Sequence, residues 1–189
     1  MLYQLNDIFD QEEKDIIADK VLRYSNDPMY PGWKLTGRSS NDPLHNQRPF
    51  WYLDIEDDPL LSKQIFYKIQ KVIYEEFNEE VAVDRIYLNG ATYGQQGYFH
   101  QDNIHAEEAR TFLIYCNSEW HPHWGGATIF KEFVNKSKEE EGYSIETVYP
   151  VPFAGVYFDG KLWHCSQPVS SDFPGLRVTL AYKLHVVSS

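Results

Sequence analysis

The final strand-like segment of the sequence reads RVTLAYKLH over residues 177–185, and it alternates between two kinds of side chain. Successive side chains of a β-strand point to opposite faces, so this segment would have two distinct faces. One face would hold Val178, Leu180 and Tyr182, and the other Arg177, Thr179 and Ala181. The first face is apolar and predicts a strand that packs against the core. The second carries a cation that, if buried, needs a carboxylate, either an acidic side chain of this chain or an exogenous one.

Similar short segments precede this strand throughout the second half of the sequence. They are aromatic and β-branched and are separated by Gly, Pro and polar turns, which is typical of β-strands. We predict strands at residues 83–93, 97–102, 110–116, 127–131, 144–148, 155–158, 164–167 and 177–185. In the first half, apolar residues recur every three or four positions, which predicts helices at residues 10–24 and 59–78. Eight short strands behind two helices predict a mainly β fold with supporting α-helices, a sandwich or jelly roll.

The segment between the two predicted helices is dense in Pro, Gly, Asn and Asp. This composition predicts a mostly irregular stretch over residues 25–58, with a short strand near residues 50–55. Long irregular segments in compact domains often cover a binding site, so we expect residues 39–50 to form a lid over the substrate. The charged run at residues 136–141 is expected to be a solvated hairpin tip.

Length and composition favour one folded domain. The chain has 189 residues, 42% hydrophobic and 16% aromatic, which excludes disordered, collagenous and coiled-coil classes. We expect a single domain over residues 1–189, with helices and loop at 1–80 and a jelly-roll core at 81–187. The absence of a long apolar run or a signal-like N-terminus predicts a soluble, intracellular, cytoplasmic protein without a membrane partner. A net charge of −11 disfavours nucleic acid as a partner. The sequence does not predict an oligomeric state.

Candidate metal ligands begin with His100 and Asp102, which lie two residues apart and would face the same side of a strand. Seven His and 28 acidic residues in this length give roughly one such pair by chance, and His105-Ala106-Glu107 is a second example in a polar turn. His164, in a later predicted strand, could supply a third ligand. Two imidazoles and one carboxylate on one face form the triad that holds non-haem Fe(II) and leaves coordination positions open.

Motifs in a fixed order surround these residues. They are Tyr93-Gly94-Gln95, Tyr98-Phe99-His100-Gln101-Asp102, RTFLIYCN at 110–117, Trp120, GGATIF at 125–130, and the segments 150–158, 164–169 and 177–179. This order resembles the prolyl 4-hydroxylase branch of the 2-oxoglutarate/Fe(II)-dependent dioxygenase superfamily. The resemblance is clear over residues 83–185, and it implies a double-stranded β-helix, the cupin-like jelly roll. Arg177 stands where collagen-type prolyl hydroxylases place a lysine, and the segment between Tyr93 and His100 is shorter than in many relatives.

The resemblance also implies a set of site residues and cofactors. His100, Asp102 and His164 would be the catalytic iron ligands, while Arg177 and Tyr115 would bind the C5 carboxylate of 2-oxoglutarate. Tyr93, Thr179 and Thr128 are further candidates for that pocket. The implied reaction uses Fe(II), O₂ and 2-oxoglutarate as co-substrate, with ascorbate supporting activity, and it yields succinate and CO₂.

Three functional classes remain open at this stage. The first is hydroxylation of a residue in a peptide or protein, with proline as the first guess. The second is hydroxylation of a free amino acid or another small molecule, and the third is a non-catalytic binding module on the same fold. A separate zinc site at His105, His121 and His123 is disfavoured because no fourth ligand has a useful spacing. Cys165 is expected to be a buried, unreactive thiol because it lacks a base.

Overall fold

A computed structural model describes residues 1–26, 33–36, 50–137 and 140–188 of the chain. The helical elements are α1 (Gln11–Asn26), a π-helical turn (Leu60–Ile65), α2 (Phe66–Phe77) and a 3-10 turn (Pro122–Trp124). The strands are β1 (Leu2–Leu5), β2 (Lys34–Thr36), β3 (Phe50–Asp54), β4 (Glu80–Ala91), β5 (Ala109–Tyr115), β6 (Thr128–Ser137), β7 (Glu140–Val148), β8 (Gly155–Asp159), β9 (Trp163–Ser166) and β10 (Arg177–Ser188). In the described parts of the chain, no helix is both long and apolar enough to span a membrane.

The strands form two antiparallel sheets. The larger has the order β1-β8-β5-β10-β4-β3-β2, and the smaller has the order β7-β6-β9. β10 lies at the centre of the larger sheet between β5 and β4, so its two faces contact different parts of the molecule. The mainly β, helix-supported fold predicted from the sequence is confirmed, and so is its antiparallel jelly-roll character.

The core side of β10 packs against the helices, as its alternation predicts. Val178, Leu180 and Tyr182 are buried in the main hydrophobic cluster, together with apolar residues of α1 and α2. The Tyr182 ring stacks on Phe66 of α2 at a centroid distance of 5.9 Å. The Tyr182 hydroxyl donates to the backbone oxygen of Leu61 at 2.9 Å, which satisfies a phenol that is otherwise fully buried. The opposite face of β10 is therefore free to line a cavity.

The predicted helices are present, and side-chain caps define how both begin. Asp10 and Glu13 form a reciprocal capping box at the start of α1, with both bonds at 2.9 Å. Asp58 accepts hydrogen bonds from the backbone N–H groups of Leu60 and Leu61 at 3.0 and 3.1 Å. Asp58 also forms a salt bridge of 2.8 Å with Lys20 of α1, so one carboxylate fixes the two helices against each other. The second helical region differs from the prediction only in opening with a π-helical turn.

One predicted strand is absent, and one observed strand was not predicted. Residues 97–102 form no regular strand, and they meet β9 at an isolated bridge between His100 and His164 and at a bond from the Gly97 N–H to Ser166. The alternating sequence there is real, but the segment pairs with one short strand at a few points, so a continuous ladder cannot form. β1 was not predicted because four residues are too few for a visible alternation; it pairs with β8. Residues 39–49 of the predicted lid lie outside the described residues, and residue 50 begins β3.

Glu79 joins three elements and provides a stability test. Its carboxylate accepts two bonds from Arg110, at 2.8 and 3.3 Å, and one from the hydroxyl of buried Tyr157. Burial alone would raise the pKa of Glu79, but the bonds from Arg110 and Tyr157 lower it below its ordinary value. A lowered folded-state pKa contributes stability above the unfolded pKa of about 4.3, and that stability is lost as the pH falls through the folded value.

We expect Glu79→Gln to destabilise the protein by about 1 kcal/mol at pH 7, because it breaks a charge-assisted network that solvent partly screens. The difference from the wild type should shrink as the pH is lowered below about 4. Urea unfolding midpoints at several pH values measure both effects. Glu107→Gln is the matched control, since Glu107 pairs with Lys161 through a side chain that is 84% exposed. Equal midpoints for the two variants at pH 7 would contradict the role of Glu79.

Candidate active site

A cavity of about 330 Å³ lies between the two sheets. Its wall includes the second face of β10, the facing side of β4, part of β3, and the segment that leads to Asp102. The volume is at the lower end of the range of about 300–1,000 Å³ for small-molecule sites. We refer to this space as the central cavity.

The central cavity brings together the three residues predicted to bind metal. The Nε2 atom of His100 lies 3.6 Å from Oδ1 of Asp102, and Nε2 of His164 lies 3.6 Å from Oδ2 of the same carboxylate. One ligand atom from each residue can be chosen so that all lie within 4.8 Å of one another. Within the described ranges, this is the only group of three or more His, Cys, Asp or Glu side chains close enough to hold a metal ion.

Backbone contacts orient both imidazoles for metal binding. The Nδ1 atom of His100 lies 2.9 Å from the carbonyl oxygen of Tyr98, and Nδ1 of His164 lies 2.9 Å from that of Leu162. A carbonyl can only accept, so each Nδ1 carries the proton and each Nε2 presents a lone pair. Burial lowers the pKa of His164 to about 3, which keeps this imidazole neutral. A neutral imidazole is the form that binds metals.

Asp102 is held as a carboxylate by neighbours that the sequence did not single out. The Thr111 hydroxyl donates to Oδ2 at 2.7 Å, and the Lys183 ammonium contacts the same oxygen. Burial alone would raise the pKa of Asp102, but Lys183 and the two imidazoles hold it well below its ordinary value. The alternation that places Arg177, Thr179 and Ala181 on one face of the predicted strand also places Lys183 there. This pattern in the sequence was enough to identify Lys183 as a residue of the site. Thr111 could not be found that way, because it depends on the pairing of Lys183 with β5.

Arg177 lies at another part of the cavity wall and is 4% exposed. Its guanidinium carbon is 5.4 Å from the centroid of the Tyr115 ring, and the Tyr115 hydroxyl is 2.8 Å from that of Thr128. Burial lowers the pKa of Arg177, with Tyr115 and Cys116 opposing the shift. In the described part of the chain, no carboxylate forms a salt bridge with Arg177, and its buried Nε atom has no hydrogen-bond partner. Of the two partners that the sequence allowed for Arg177, an acidic side chain is therefore not found among the described residues. The carboxylate of a bound ligand would satisfy the guanidinium.

The other predicted residues divide between the cavity and the surface. Thr179 is buried and lines the cavity beside Arg177, and Thr128 lines it too. Tyr93 is 68% exposed and lies outside the cavity wall, so the structure does not bring it to the site. His121 lies just before the 3-10 turn and His123 lies on it, and both are exposed. Burial raises the pKa of Cys165 to about 11, so it is a thiol at neutral pH.

Gly126 packs directly against Arg177. Its φ is +69°, and a Cβ atom there would lie 2.8 Å from Cδ of Arg177 and 3.0 Å from Cζ2 of Trp120. Gly94 has a similar φ of +74°, but a Cβ atom there would meet nothing within 4 Å. An alanine at either position carries comparable backbone strain, roughly 1–2 kcal/mol. Only the substitution at Gly126 would also move Arg177.

We therefore expect Gly126→Ala to weaken binding of 2-oxoglutarate, the ligand that the sequence resemblance implies for Arg177, by roughly tenfold or more. Gly94→Ala should lose a similar amount of thermal stability and keep its affinity. Calorimetric titration of both variants with 2-oxoglutarate, alongside their melting curves, makes the comparison. Equal affinities in the two variants would show that the glycine does not position the guanidinium.

Comparisons with known proteins identify the fold. A viral collagen prolyl hydroxylase from Paramecium bursaria Chlorella virus-1, solved as a 2-oxoglutarate complex, is similar at a TM-score of 0.62 and 14% identity, covering 98% of this chain and 96% of that one. A Trichoplax adhaerens prolyl hydroxylase, in complex with a hypoxia-inducible factor peptide, is similar at a TM-score of 0.70 and 14% identity, covering 98% and 82%.

The similarity extends to an enzyme that is not a prolyl hydroxylase. The non-haem, 2-oxoglutarate-dependent epimerase SnoN from nogalamycin biosynthesis matches at a TM-score of 0.67 and 10% identity, covering 97% of this chain and 76% of that one. No protein-family model matches the chain, and no curated protein sequence matches it. At these identities the comparison concerns architecture alone, and it agrees with the resemblance noted in the sequence. The chain therefore has the jelly-roll fold of the 2-oxoglutarate/Fe(II) oxygenases.

Proposed function

We propose that the protein is a 2-oxoglutarate- and Fe(II)-dependent oxygenase that hydroxylates a residue within a peptide, with proline as the first substrate to test. One observation carries this proposal: a His-Asp-His cluster and a buried guanidinium without a carboxylate partner among the described residues share one cavity. Either feature alone has an ordinary structural explanation. Together they match the two requirements of this chemistry, a metal with open positions and an anchor for a dicarboxylic co-substrate.

The donor set suits a ferrous ion. His100 and His164 would each give Nε2, and Asp102 would give a carboxylate oxygen, so two nitrogen ligands and one oxygen ligand leave positions for other molecules. A bound ferrous ion would supply the oxygen activation that no side chain can perform. Thr111 would keep the Asp102 carboxylate in place, because a hydrogen bond to a metal ligand fixes the orientation of that ligand.

The remaining residues would bind the co-substrate and exclude water. Arg177 would pair with the distal carboxylate of 2-oxoglutarate, and Tyr115 and Thr128 offer hydroxyl groups in the same region. The rings of Phe130 and Phe158 lie 5.8 and 4.9 Å from the His164 ring and shield that side of the cluster. Overall, one oxygen atom of O₂ would enter the product as a hydroxyl and the other would enter succinate, with release of CO₂. Residues 1–189 would act as a single catalytic domain.

A peptide substrate is supported by the similar Trichoplax adhaerens enzyme, whose structure holds a peptide. A second candidate is a free amino acid or another small molecule, and the modest cavity of about 330 Å³ favours it. The intact combination of His100, Asp102, His164 and Arg177 argues against a non-catalytic binding module.

The test uses the purified full chain with Fe(II), ascorbate, O₂ and 2-oxoglutarate. We expect succinate release that stops when either Fe(II) or 2-oxoglutarate is omitted. Adding blocked proline-containing peptides and, separately, free amino acids should reveal which class gains the mass of one oxygen atom. Metal-independent succinate release would reject the oxygenase proposal. If only the free amino acids are hydroxylated, the second candidate, a small-molecule substrate, replaces the peptide substrate.

A further inference from the structure

Two cations stand opposite each other on neighbouring strands of the cavity wall. Lys183 of β10 is the register partner of Arg85 of β4, and both side chains line the central cavity. The Tyr87 ring lies beside both, with the Arg85 guanidinium carbon 5.0 Å and the Lys183 ammonium 5.7 Å from its centroid. Like charges directly across a sheet destabilise it, so this arrangement needs a compensating anion.

Lys183 contacts such an anion directly in Asp102, whereas Arg85 is linked to a carboxylate only through Tyr52, whose hydroxyl lies 3.3 Å from Oδ2 of Asp54. Arg85 donates to the Tyr52 hydroxyl at 2.6 Å, and its guanidinium carbon is 5.3 Å from the centroid of the Tyr52 ring. Among the residues that the structure describes, no carboxylate comes within 4.0 Å of the Arg85 side-chain nitrogens. A guanidinium has five N–H donors in a planar fork, so Arg85 retains donors suited to a carboxylate.

The charge of the cavity also favours an anion. Arg85, Arg177 and Lys183 line it, and Asp102 is the single acidic residue that the described part of the chain contributes to the wall, although the whole chain carries a net charge of −11. A bound divalent metal and dianionic 2-oxoglutarate would cancel each other. The three cations and the Asp102 carboxylate would then leave two net positive charges. They lie in a site with low-dielectric walls, where electrostatic attraction is strongest.

We propose that the primary substrate carries a carboxylate that Arg85 binds beside the Tyr87 ring, with Lys183 as the second, deeper cation. This inference rests on the proposed oxygenase function and assigns the chemical class of its substrate. Arg85 is at the exposed part of the cavity wall, while Lys183 contacts the metal-site carboxylate, so the substrate's acidic group would lie between solvent and the reacting centre. The carboxylate comes either from an Asp or Glu side chain of a peptide or from a free small acid.

The test measures primary-substrate stimulation of succinate release at saturating 2-oxoglutarate, so that Arg177 is already occupied. One arm uses blocked peptides that differ only in Glu against Gln or Asp against Asn. The other arm uses small carboxylic and amino acids against their amides. Formation of the hydroxylated product is followed by mass spectrometry. We expect the acidic member to act at concentrations at least tenfold lower than its neutral partner, and the responding arm identifies the source of the carboxylate.

Variants at Arg85 decide whether this residue is responsible. Arg85→Glu should remove the preference for acidic members, and Arg85→Lys should restore part of it because the charge returns without the fork. Lys63→Glu is the matched control, since it makes the same charge change at an exposed position of the π-helical turn, and it should keep the preference. A preference that survives Arg85→Glu, or no preference for acidic members in either arm, overturns the inference. Succinate release by the wild type without primary substrate tests the oxygenase function separately, and its absence would reject that function first.

Discussion

Replacing Asp102 by alanine is expected to reduce succinate release at least roughly a thousandfold, to the level of a reaction without enzyme. Its two carboxylate oxygens face Nε2 of His100 and of His164, so no other described side chain can substitute for it. His164→Ala should have the same effect because it removes one of the two proposed nitrogen ligands. Both variants should also lose bound Fe(II), Mn(II) or Co(II), which metal analysis after gel filtration would measure independently of turnover.

One control variant and one variant with an expected intermediate effect accompany these substitutions. His105→Ala removes an exposed histidine that lies outside the cavity, and it should leave turnover and metal content unchanged. Thr111→Val keeps the shape of the side chain but removes its hydrogen bond to Asp102, and a 10- to 100-fold loss of metal affinity is expected. Unchanged turnover in both Asp102→Ala and His164→Ala would reject the assignment of this cluster as the metal site.

Arg177→Met is expected to raise the 2-oxoglutarate concentration needed for half-maximal turnover by about a hundredfold. Truncating one partner of a buried charge pair costs roughly 2–5 kcal/mol of binding energy, and 2.7 kcal/mol corresponds to that factor. Arg177→Lys should lose less, since it keeps the charge but not the bidentate geometry. Initial rates at varied 2-oxoglutarate provide the measurement, and an unchanged requirement in Arg177→Met would remove Arg177 from the co-substrate site.

The same variant carries a second, independent readout. The guanidinium is buried without a carboxylate partner among the described residues, so the folded protein gains little from its charge. Arg177→Met should therefore keep or raise the melting temperature in the absence of 2-oxoglutarate. It should also sharply reduce the rise in melting temperature that a given concentration of 2-oxoglutarate gives the wild type, because that rise depends on binding to the folded state.

The sequence was most informative where one strand has two different environments. The alternation in β10 assigned Val178 to the core and Arg177 and Thr179 to the opposite face, and the structure confirms this division. Periodicity works here because the side-chain period of a strand does not depend on its partners. The convergence of His100 and His164 was predicted by motif order and resemblance, since periodicity alone cannot show which distant strands meet.

Features that depend on how the strands pair could not be predicted from the sequence. The segment at residues 97–102 alternates like a strand but pairs at only a few points. Tyr93 belongs to one of the motifs that resemble the prolyl 4-hydroxylase branch, yet it is exposed. Lys183 lies opposite Arg85 because of the register between β10 and β4. That register shifts immediately afterwards, between Lys183 and Leu184. Local sequence does not encode such registers, because turn geometry and sheet packing set them.

The division of β10 between core and cavity also restricts how this protein can change over evolutionary time. Inserting or deleting one amino acid between Arg177 and Lys183 would place the two cations on opposite faces of the strand. One of them would turn toward the helices, and the apolar residues on its side of the change would turn toward the ligand space. Such a change would damage folding and chemistry in a single step. Length variation among descendants of this chain should thus accumulate in the connecting loops, and the strand itself should diverge only by exchange of one amino acid for another.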